Sequence, residues 1–439
     1  MYESAARRPE RQNLATIRSG EYEGLEKKMA LPEWAPDYGP GTFNAQSGAT
    51  VIGARDFLIA YNVNLNTRSV RKANAVAFDV REKGRVKRIG HPVTGEIVKD
   101  EHGEPVREEG MCKGVKAIGW YIEEYGIAQV SMNITDIRQT PLHIAFEACR
   151  KSASSRGLRI TGSELVGLVP LQVMLDAGRY FLAQQGVSVG VSDDELIHIA
   201  VKSLGLDELS AFDPQKKIIE YVLGAGLTGR LASMTLEKFS IELASDSPVP
   251  GGGSAAAFAG ALAASLGAMV GNLTANKRGL EERQSYFAGW AVRGQEGRKA
   301  LLHLVDEDTL AYAAVMEAFR LPKTTDEEKK IRQTAIEAGT LRATESPLNT
   351  MRVAAMQFEL LEAMVREGNQ SSISDAGVGA VLALAAVEGG WMNVMINLPG
   401  LKDRQRAAGI QREADAILEF AKAKKQELQD LVLHSLIKS

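Results

Sequence analysis

The sequence predicts an α+β unit followed by an all-α unit, and three features carry that prediction. Residues 57–66 alternate apolar and polar side chains, and two further alternating runs fall at 117–123 and 127–135. After about Met234 the β-branched alternation stops, and Ala-rich or Leu-rich helical periodicity runs to the C-terminus.

In the first run Phe57, Ile59, Tyr61, Val63 and Leu65 share one face and Asn62, Asn64 and Asn66 the other, the period-2 pattern of a half-buried strand. A helical run follows from Ser69 to Glu82, then a polar stretch from Lys83 to Gly110. The few residues between the next two strands suit a hairpin. Leu142 to Ala153 reads as a helix and Leu158 to Gly162 as a short strand, which gives the order βαββαβ of a ferredoxin-like unit. Helices are expected over 170–185 and 193–204. Residues 1–45 fit neither part: three prolines and two glycines between Leu31 and Asn44 predict an extended connecting segment. The expected organisation is the tail of a missing part with a connecting segment at 1–45, an α+β part at 46–228 and a helical bundle at 229–439.

The net charge of −3 points to no nucleic-acid partner. Two cysteines, Cys112 and Cys149, and six histidines without CxxC or HExxH spacing predict neither a metal site nor a disulfide framework, and they fit a reducing cytoplasm. The start MYESAARRPERQ has no apolar region behind it. The apolar stretch Ala255 to Val270 is short for a membrane span and reads as a buried helix.

Four local features could carry chemistry. In SDSPVPGGGSAAAFAGALAASLGAMVGNL, Gly251, Gly252 and Gly253 precede a helix starting near Ser254, where N–H groups and the helix dipole favour a carbonyl, carboxylate or phosphate oxygen. A linker running into a closely packed helix, with Gly260, Gly267 and Gly271 admitting neighbouring backbones, explains the same residues equally well. No P-loop lysine follows the glycines. In LLHLVDEDTLAYAAVMEAF, Leu301, Val305, Tyr312, Val315 and Phe319 form a stripe in which Asp308 replaces an apolar residue. That is either a buried carboxylate available for acid–base work or a solvated helix end. Asp306, two positions away, faces another side of the helix. In SDAGVGAVLALAAVEGGWMNVMINL, Asp375, Val378, Leu382, Asn393 and Asn397 lie near one stripe that Gly389 and Gly390 would bend. The asparagines either bond a ring offering donors and acceptors or satisfy neighbouring backbone. The fourth feature, Gly224, Gly226 and Gly229, matches GxGxxG after a possible strand, IIEYVL, and reads as a linker.

PEWAPDYGPGTFNAQSGATVIGARDFLIAYNVNLNT, KAIGWYIEEYGIAQVSMNITD, GSELVGLVPL and KIIEYVL resemble the C-terminal transferase subdomain of the formimidoyltransferase-cyclodeaminase family. SPVPGGGSAAA, LVDEDTLAY, AFRLPK, SDAGVGA and NVMINL are similar, in that order, to the cyclodeaminase domain fused behind it. The resemblance implies folate-dependent one-carbon chemistry of histidine degradation in the cytoplasm. One step moves a formimino group from N-formimino-L-glutamate to tetrahydrofolate; the next closes 5-formiminotetrahydrofolate to 5,10-methenyltetrahydrofolate with loss of ammonia. Tetrahydrofolate, polyglutamylated or not, is then a co-substrate, no metal is needed, and ring-like homo-oligomers are expected. The resemblance makes Asp306 or Asp308 the candidate proton carrier, with Asp375, Ser374, Asn393 and Asn397 orienting and Gly251, Gly252, Gly253 and Ser254 binding folate oxygen. For the transferase it assigns folate contact to Gly39, Pro40, Gly41, Thr42, Phe43, Asn44, Ala45, Gln46, Ser47 and Gly48, and also to Gly110 and Glu164.

The front of the chain departs from the family pattern. It starts in the last segment of the first transferase subdomain, at YESAARRPERQNLATIRSGEYEGL. None of His91, His102, His143, His198, His303 or His434 lies in a match to the family's catalytic-histidine motif. Most of that subdomain is expected to be missing, with impaired transferase activity and a separate subdomain as partner. A methenyltetrahydrofolate cyclohydrolase and a non-catalytic folate-binding or assembly fragment are the alternatives.

Overall fold

The computed structural model describes residues 1–90, 94–224 and 229–438, and the chain divides into two compact units, Met1–Gly167 and Leu168–Ser439.

In the first unit β1 (Ile59–Leu65), α1 (Val70–Val80), β2 (Val115–Ile122), β3 (Ile127–Ile134), α2 (Leu142–Ser154) and β4 (Ile160–Val166) follow the expected βαββαβ order. The four strands form one antiparallel sheet in the order β4-β1-β3-β2. Its register pairs Tyr61 with Met132 and Val63 with Val130, all buried. A one-residue slip would put the asparagine row in their place, so burial fixes the pairing. Helix α1 starts where the Ser69 hydroxyl accepts the Lys72 N–H. It meets β2 at backbone distance at Gly119, whose N–H donates to Asn74 Oδ1 (2.9 Å) and whose carbonyl accepts from Asn74 Nδ2 (3.2 Å). A Cβ at Gly119 would collide with the Asn74 backbone nitrogen.

Two stretches differ from expectation. The polar run after α1 holds two short antiparallel ladders, Arg85–Val86 with Arg107–Glu108 and Arg88–Ile89 with Glu96–Ile97; its charged sequence has no apolar alternation to announce them. Residues 1–55 hold short elements before and within the stretch expected to connect. They fold into helices Leu14–Arg18 and Glu21–Met29 and a 3-10 turn at Pro32–Trp34, while Tyr2–Glu3 pairs in parallel with Gly53–Ala54. The buried Arg11 guanidinium organises this segment by donating to the carbonyls of Glu33 (2.6 Å) and Ala35 (2.7 Å) and pairing with Asp37 (3.0 Å). Pro32 sits at the start of its turn, where a missing N–H costs nothing.

The second unit contains α3 (Leu171–Gln184), α4 (Asp193–Leu204), α5 (Gly252–Ala275), α6 (Gln284–Arg320), α7 (Asp326–Glu367), α8 (Ile373–Asn397) and α9 (Arg404–Lys438). IIEYVL is helical at Ile219–Val222 and not a strand; a short apolar run is ambiguous in sequence. Helices α3 and α4 group with the bundle because their connecting loop is tied to α5. Ser188 donates from N–H to Asn276 (2.8 Å) and from Oγ to Asn272 (2.7 Å), and Asn272 donates to the Gly190 carbonyl (2.8 Å).

Helix α5 turns mostly glycine and alanine toward the core, so its neighbours supply the packing. A Cβ at Gly260 would press on Leu301, at Gly267 on Leu360 and at Gly271 on Ala291. Helix α8 runs antiparallel to α5, with Gly379 against the Ala263 carbonyl and Gly389 against Ala256. Gly389 and Gly390 do not interrupt α8; they admit Ala256 and Met351. Helix α5 and residues 370–400 are each long and apolar enough to cross a membrane, and α5 is 61% buried over its most apolar window.

Gly119→Val should lower unfolding stability by about 1–3 kcal/mol, because the added methyls must part β2 from α1; a urea midpoint equal to that of the parent would contradict the close approach.

Candidate active site

Asp308 lies well inside the 37-residue helix α6, so it does not mark a helix end. Its stripe is buried at Leu301 and Val305, but Tyr312 and Phe319 are exposed, and Ala311 and Ala318 take over the buried side. The stripe drifts out of the core past Asp308.

The Asp308 carboxylate meets the first turn of α5. It accepts from the Ser254 backbone N–H and lies 3.1 Å from Ser254 Oγ. A Cβ at Gly253 would overlap the carboxylate, so only glycine allows this approach. Burial raises the Asp308 pKa above the ordinary carboxylate value, and the Ser254 hydrogen bonds partly oppose the rise. Ser254 Oγ has one proton and, besides the Thr309 hydroxyl at 3.5 Å, two acceptors in reach, Asp308 at 3.1 Å and the Val305 carbonyl at 2.9 Å. Turned to Asp308, the hydroxyl stabilises the carboxylate; turned to Val305, it leaves Oγ free to accept from a protonated carboxyl. Both protonation states of Asp308 are therefore satisfied, as a proton carrier requires.

Asn393 completes this cluster. Its Nδ2 donates to the Gly389 carbonyl one turn back (2.8 Å) and lies 3.4 Å from where a Gly252 Cβ would be. Gly251 precedes α5 without a side-chain cap, and first-turn N–H groups such as those of Gly252 and Gly253 have no acceptor within their helix. Gly251 to Ser254, Asp308 and Asn393 thus form one cluster, suited to hold an oxygen-bearing ligand beside a titratable acid.

Four other residues do not join it. Asp306 faces another side of α6 and accepts the N–H groups of Leu231 (2.8 Å) and Ala232 (3.1 Å). A Cβ at Gly229 would collide with it, which explains one glycine of the motif set aside as a linker. Gly226, like His91, lies outside the described residues. Ser374 and Asp375 stand at the opposite end of α8 from Asn393, about 27 Å away at 1.5 Å per residue; within one chain they do not reach the glycine turn. Asn397 donates to the Ala343 carbonyl (2.8 Å). Ala343 lies four residues before Pro347, inside α7. Proline has no N–H for that carbonyl, and the Asn397 amide takes its place. One of its N–H groups is thus engaged in structure, the second of the two readings its sequence left open.

In the first unit, Pro40, Thr42, Asn44, Ser47 and Gly48 line a cavity of 720 Å³ together with Arg18, Tyr22, Lys28 and Trp34. The Tyr22 hydroxyl donates to the Ala45 carbonyl (2.5 Å) and its ring meets Phe43 at 5.8 Å, which fixes the loop. Gly39, Gly41, Phe43, Ala45 and Gln46 belong to this loop without lining the cavity, and Gly110 and Glu164 lie elsewhere. Gly110 packs on the Arg81 carbonyl; Glu164, on β4, lies beside Asn62 on β1 (3.4 Å). On the same sheet face Gln129 donates to Asn64 (2.7 Å) and receives the Trp120 indole N–H (3.2 Å). The asparagine row was visible in sequence, but Gln129, Trp120, Arg18 and Lys28 gave no sign of their places. Among the described residues no group of three or more His, Cys, Asp or Glu is placed to hold a metal.

Three family models match the chain: the N-terminal subdomain of the formiminotransferase domain at 1–55, the formiminotransferase domain at 60–224 and formiminotransferase-cyclodeaminase at 235–416. The formimidoyltransferase-cyclodeaminase of Gallus gallus is 38% identical over 96% of this chain and 74% of its own length. The chain belongs to the formimidoyltransferase-cyclodeaminase family. It contains residues of all three family domains, so the first 55 residues match the subdomain expected to be largely missing. A methenyltetrahydrofolate cyclohydrolase of Methylorubrum extorquens is 37% identical over 45% of this chain and 95% of its own. A crystal structure of formiminotetrahydrofolate cyclodeaminase from Thermotoga maritima is 25% identical, covers 46% of this chain and 98% of its own, and superposes with a TM-score of 0.42.

Asn397→Ala should reduce unfolding stability by about 1–3 kcal/mol by orphaning the Ala343 carbonyl, while the Michaelis constant for a folate substrate stays within a few-fold of the parent. A large rise in that constant with unchanged stability would restore Asn397 to ligand binding.

Proposed function

We propose that this family member is a bifunctional folate enzyme of histidine degradation whose second unit closes 5-formiminotetrahydrofolate to 5,10-methenyltetrahydrofolate with release of ammonia. The observation that carries the proposal is the Asp308 carboxyl seated against Gly253 and Ser254 with a raised pKa.

Ring closure forms a bond from N10 to the formimino carbon, takes a proton from N10 and breaks the bond to the nitrogen that leaves as ammonia. One carboxyl can serve both ends: as carboxylate it takes the N10 proton, and as acid it gives a proton to the departing nitrogen. Asp308 suits this because burial brings its two protonation states closer in free energy at neutral pH. The Gly252 and Gly253 N–H groups, which lack acceptors within α5, and Asn393 beside Gly252 are assigned to orient the folate, whose ring system presents carbonyl oxygen and N–H groups. Asp306 acts by holding the turn at Leu231. The loop from Gly39 to Gly48 is assigned to folate in the transfer step, with N-formimino-L-glutamate as donor. Because residues 1–55 match the N-terminal transferase subdomain, the expectation of impaired transfer is left without support. The proposal includes a cytoplasmic location, consistent with two buried free cysteines, and a homo-oligomeric state.

The likeness to a methenyltetrahydrofolate cyclohydrolase over the helical part favours one second reading: hydrolysis of the methenyl product at the same cluster. Ammonia release from 5-formiminotetrahydrofolate separates the two, since hydrolysis of methenyltetrahydrofolate yields none.

With 5-formiminotetrahydrofolate the parent chain should release ammonia as methenyl absorbance rises. Asp308→Asn should lower kcat by about 10²–10⁴. Asp306→Ala should keep kcat within a few-fold but lose about 1–3 kcal/mol of stability. An Asp308→Asn protein with the parent rate would remove Asp308 from the chemistry.

A further inference from the structure

Past Asp308, helix α6 outruns its partner. Gly253, Gly260 and Gly271 of α5 meet Asp308, Leu301 and Ala291 of α6 in that order, so the two helices are antiparallel. Helix α5 begins at Gly252 and therefore stops level with Asp308. Helix α6 continues to Arg320, about three more turns, with no α5 residue opposite it. Its other side stays closed by α7, where Val315 lies against Gly339 and Ala311 and Ala318 are buried.

Tyr312 stands on the open side. From Asp308 it is about 6 Å further along the helix axis and about 40° around it, one turn up nearly the same face. It is 37% exposed. The other large apolar residues of this stretch do not compete for the place. Leu310 points about 160° away from Asp308. Phe319 already carries the Arg332 guanidinium over its ring at 5.6 Å, and Arg332 donates to its carbonyl (3.2 Å).

The reaction proposed above puts N10 of the substrate at the Asp308 carboxyl. N10 is bonded directly to the p-aminobenzoyl ring, so a substrate placed for that proton transfer holds this ring within a helical turn of Asp308. The pterin half is assigned to the glycine turn and Asn393, level with Asp308, which leaves the side beyond Asp308 for the other half. A flat, uncharged aromatic amide suits an exposed tyrosine ring, since stacking adds to the burial of both faces. Tyrosine offers that contact at low entropic cost because two χ angles fix it.

We propose that Tyr312 is the wall of the site against which the p-aminobenzoyl ring of the folate substrate stacks, seating N10 at Asp308. The proposal rests on the reading of the Gly253–Asp308–Asn393 cluster as the cyclodeaminase site. Tyr312 acts here by binding and takes no proton.

Kinetics of ammonia release from 5-formiminotetrahydrofolate by the full chain test the stack. Two competitive inhibitors are compared: 5-formyltetrahydrofolate, which has the p-aminobenzoylglutamate group, and 6-methyltetrahydropterin, which lacks it. Tyr312→Ala should raise both KM and the inhibition constant of 5-formyltetrahydrofolate about ten-fold. Its kcat should stay within a few-fold of the parent, and the inhibition constant of 6-methyltetrahydropterin should not move. Tyr312→Phe, which keeps the ring, should match the parent. Parent constants in Tyr312→Ala, equal losses for both inhibitors, or a Tyr312→Phe protein as weak as Tyr312→Ala would overturn the stack. A loss of affinity accompanied by a lower sedimentation coefficient would also overturn it, because the ring would then be covered by another chain. If the parent releases no ammonia, calorimetric titration with 5-formyltetrahydrofolate separates the two readings. Weaker binding in Tyr312→Ala would then refute the reaction and leave the stack, and equal binding would refute both.

Discussion

Gly253 and Asp308 approach each other more closely than any side chain at position 253 would permit, and the second unit is arranged around that approach. The buried side of helix α5 is lined with glycine and alanine, so α6, α7 and α8 come near its backbone, with Leu301, Leu360 and Leu361 buried against its glycines. Dispersion contacts from the larger neighbours replace those α5 cannot make. The same closeness puts a carboxylate at the start of α5, where N–H groups need acceptors, and in surroundings dry enough to disfavour its charge. Packing and acid–base capacity thus have one cause.

Asp306 and Asp308 show how position on a helix divides labour between identical side chains. Two residues apart, they face different neighbours. One has its oxygens taken by two backbone N–H groups; the other shares a hydroxyl that can serve either protonation state. Asn393 and Asn397 divide similarly. Asn397 repairs the hydrogen-bond gap that Pro347 leaves in α7, while Asn393 bonds its own helix and faces the glycine turn.

The sheet was legible in the sequence because β1 and β3 alternate strictly, and α5 because its composition suits a buried helix. The ladders at 85–108 were not, since charged residues on exposed short strands carry no periodic signal. Within the candidate site, Asp308 was visible as a polar break in an apolar stripe. The role of Asp306 was not, because its partners lie 74 and 75 residues earlier and a carboxylate gives no sign of which N–H groups it will meet. The partner of Asn397 was hidden for the same reason: it is 54 residues away and is an orphan only because of a proline one turn further on. Ser374 and Asp375 share the helical stripe of Asn393, but periodicity specifies a face and not a level along the helix.

The central claim is that burial beside Gly253 and Ser254 makes Asp308 hold a proton more readily than an ordinary carboxylate. Carbon-13 NMR titration of aspartate-labelled protein, with the Asp308→Asn spectrum to assign the resonance, measures this directly. The account predicts a midpoint above the ordinary value of 3.8. A midpoint at or below that value would contradict it.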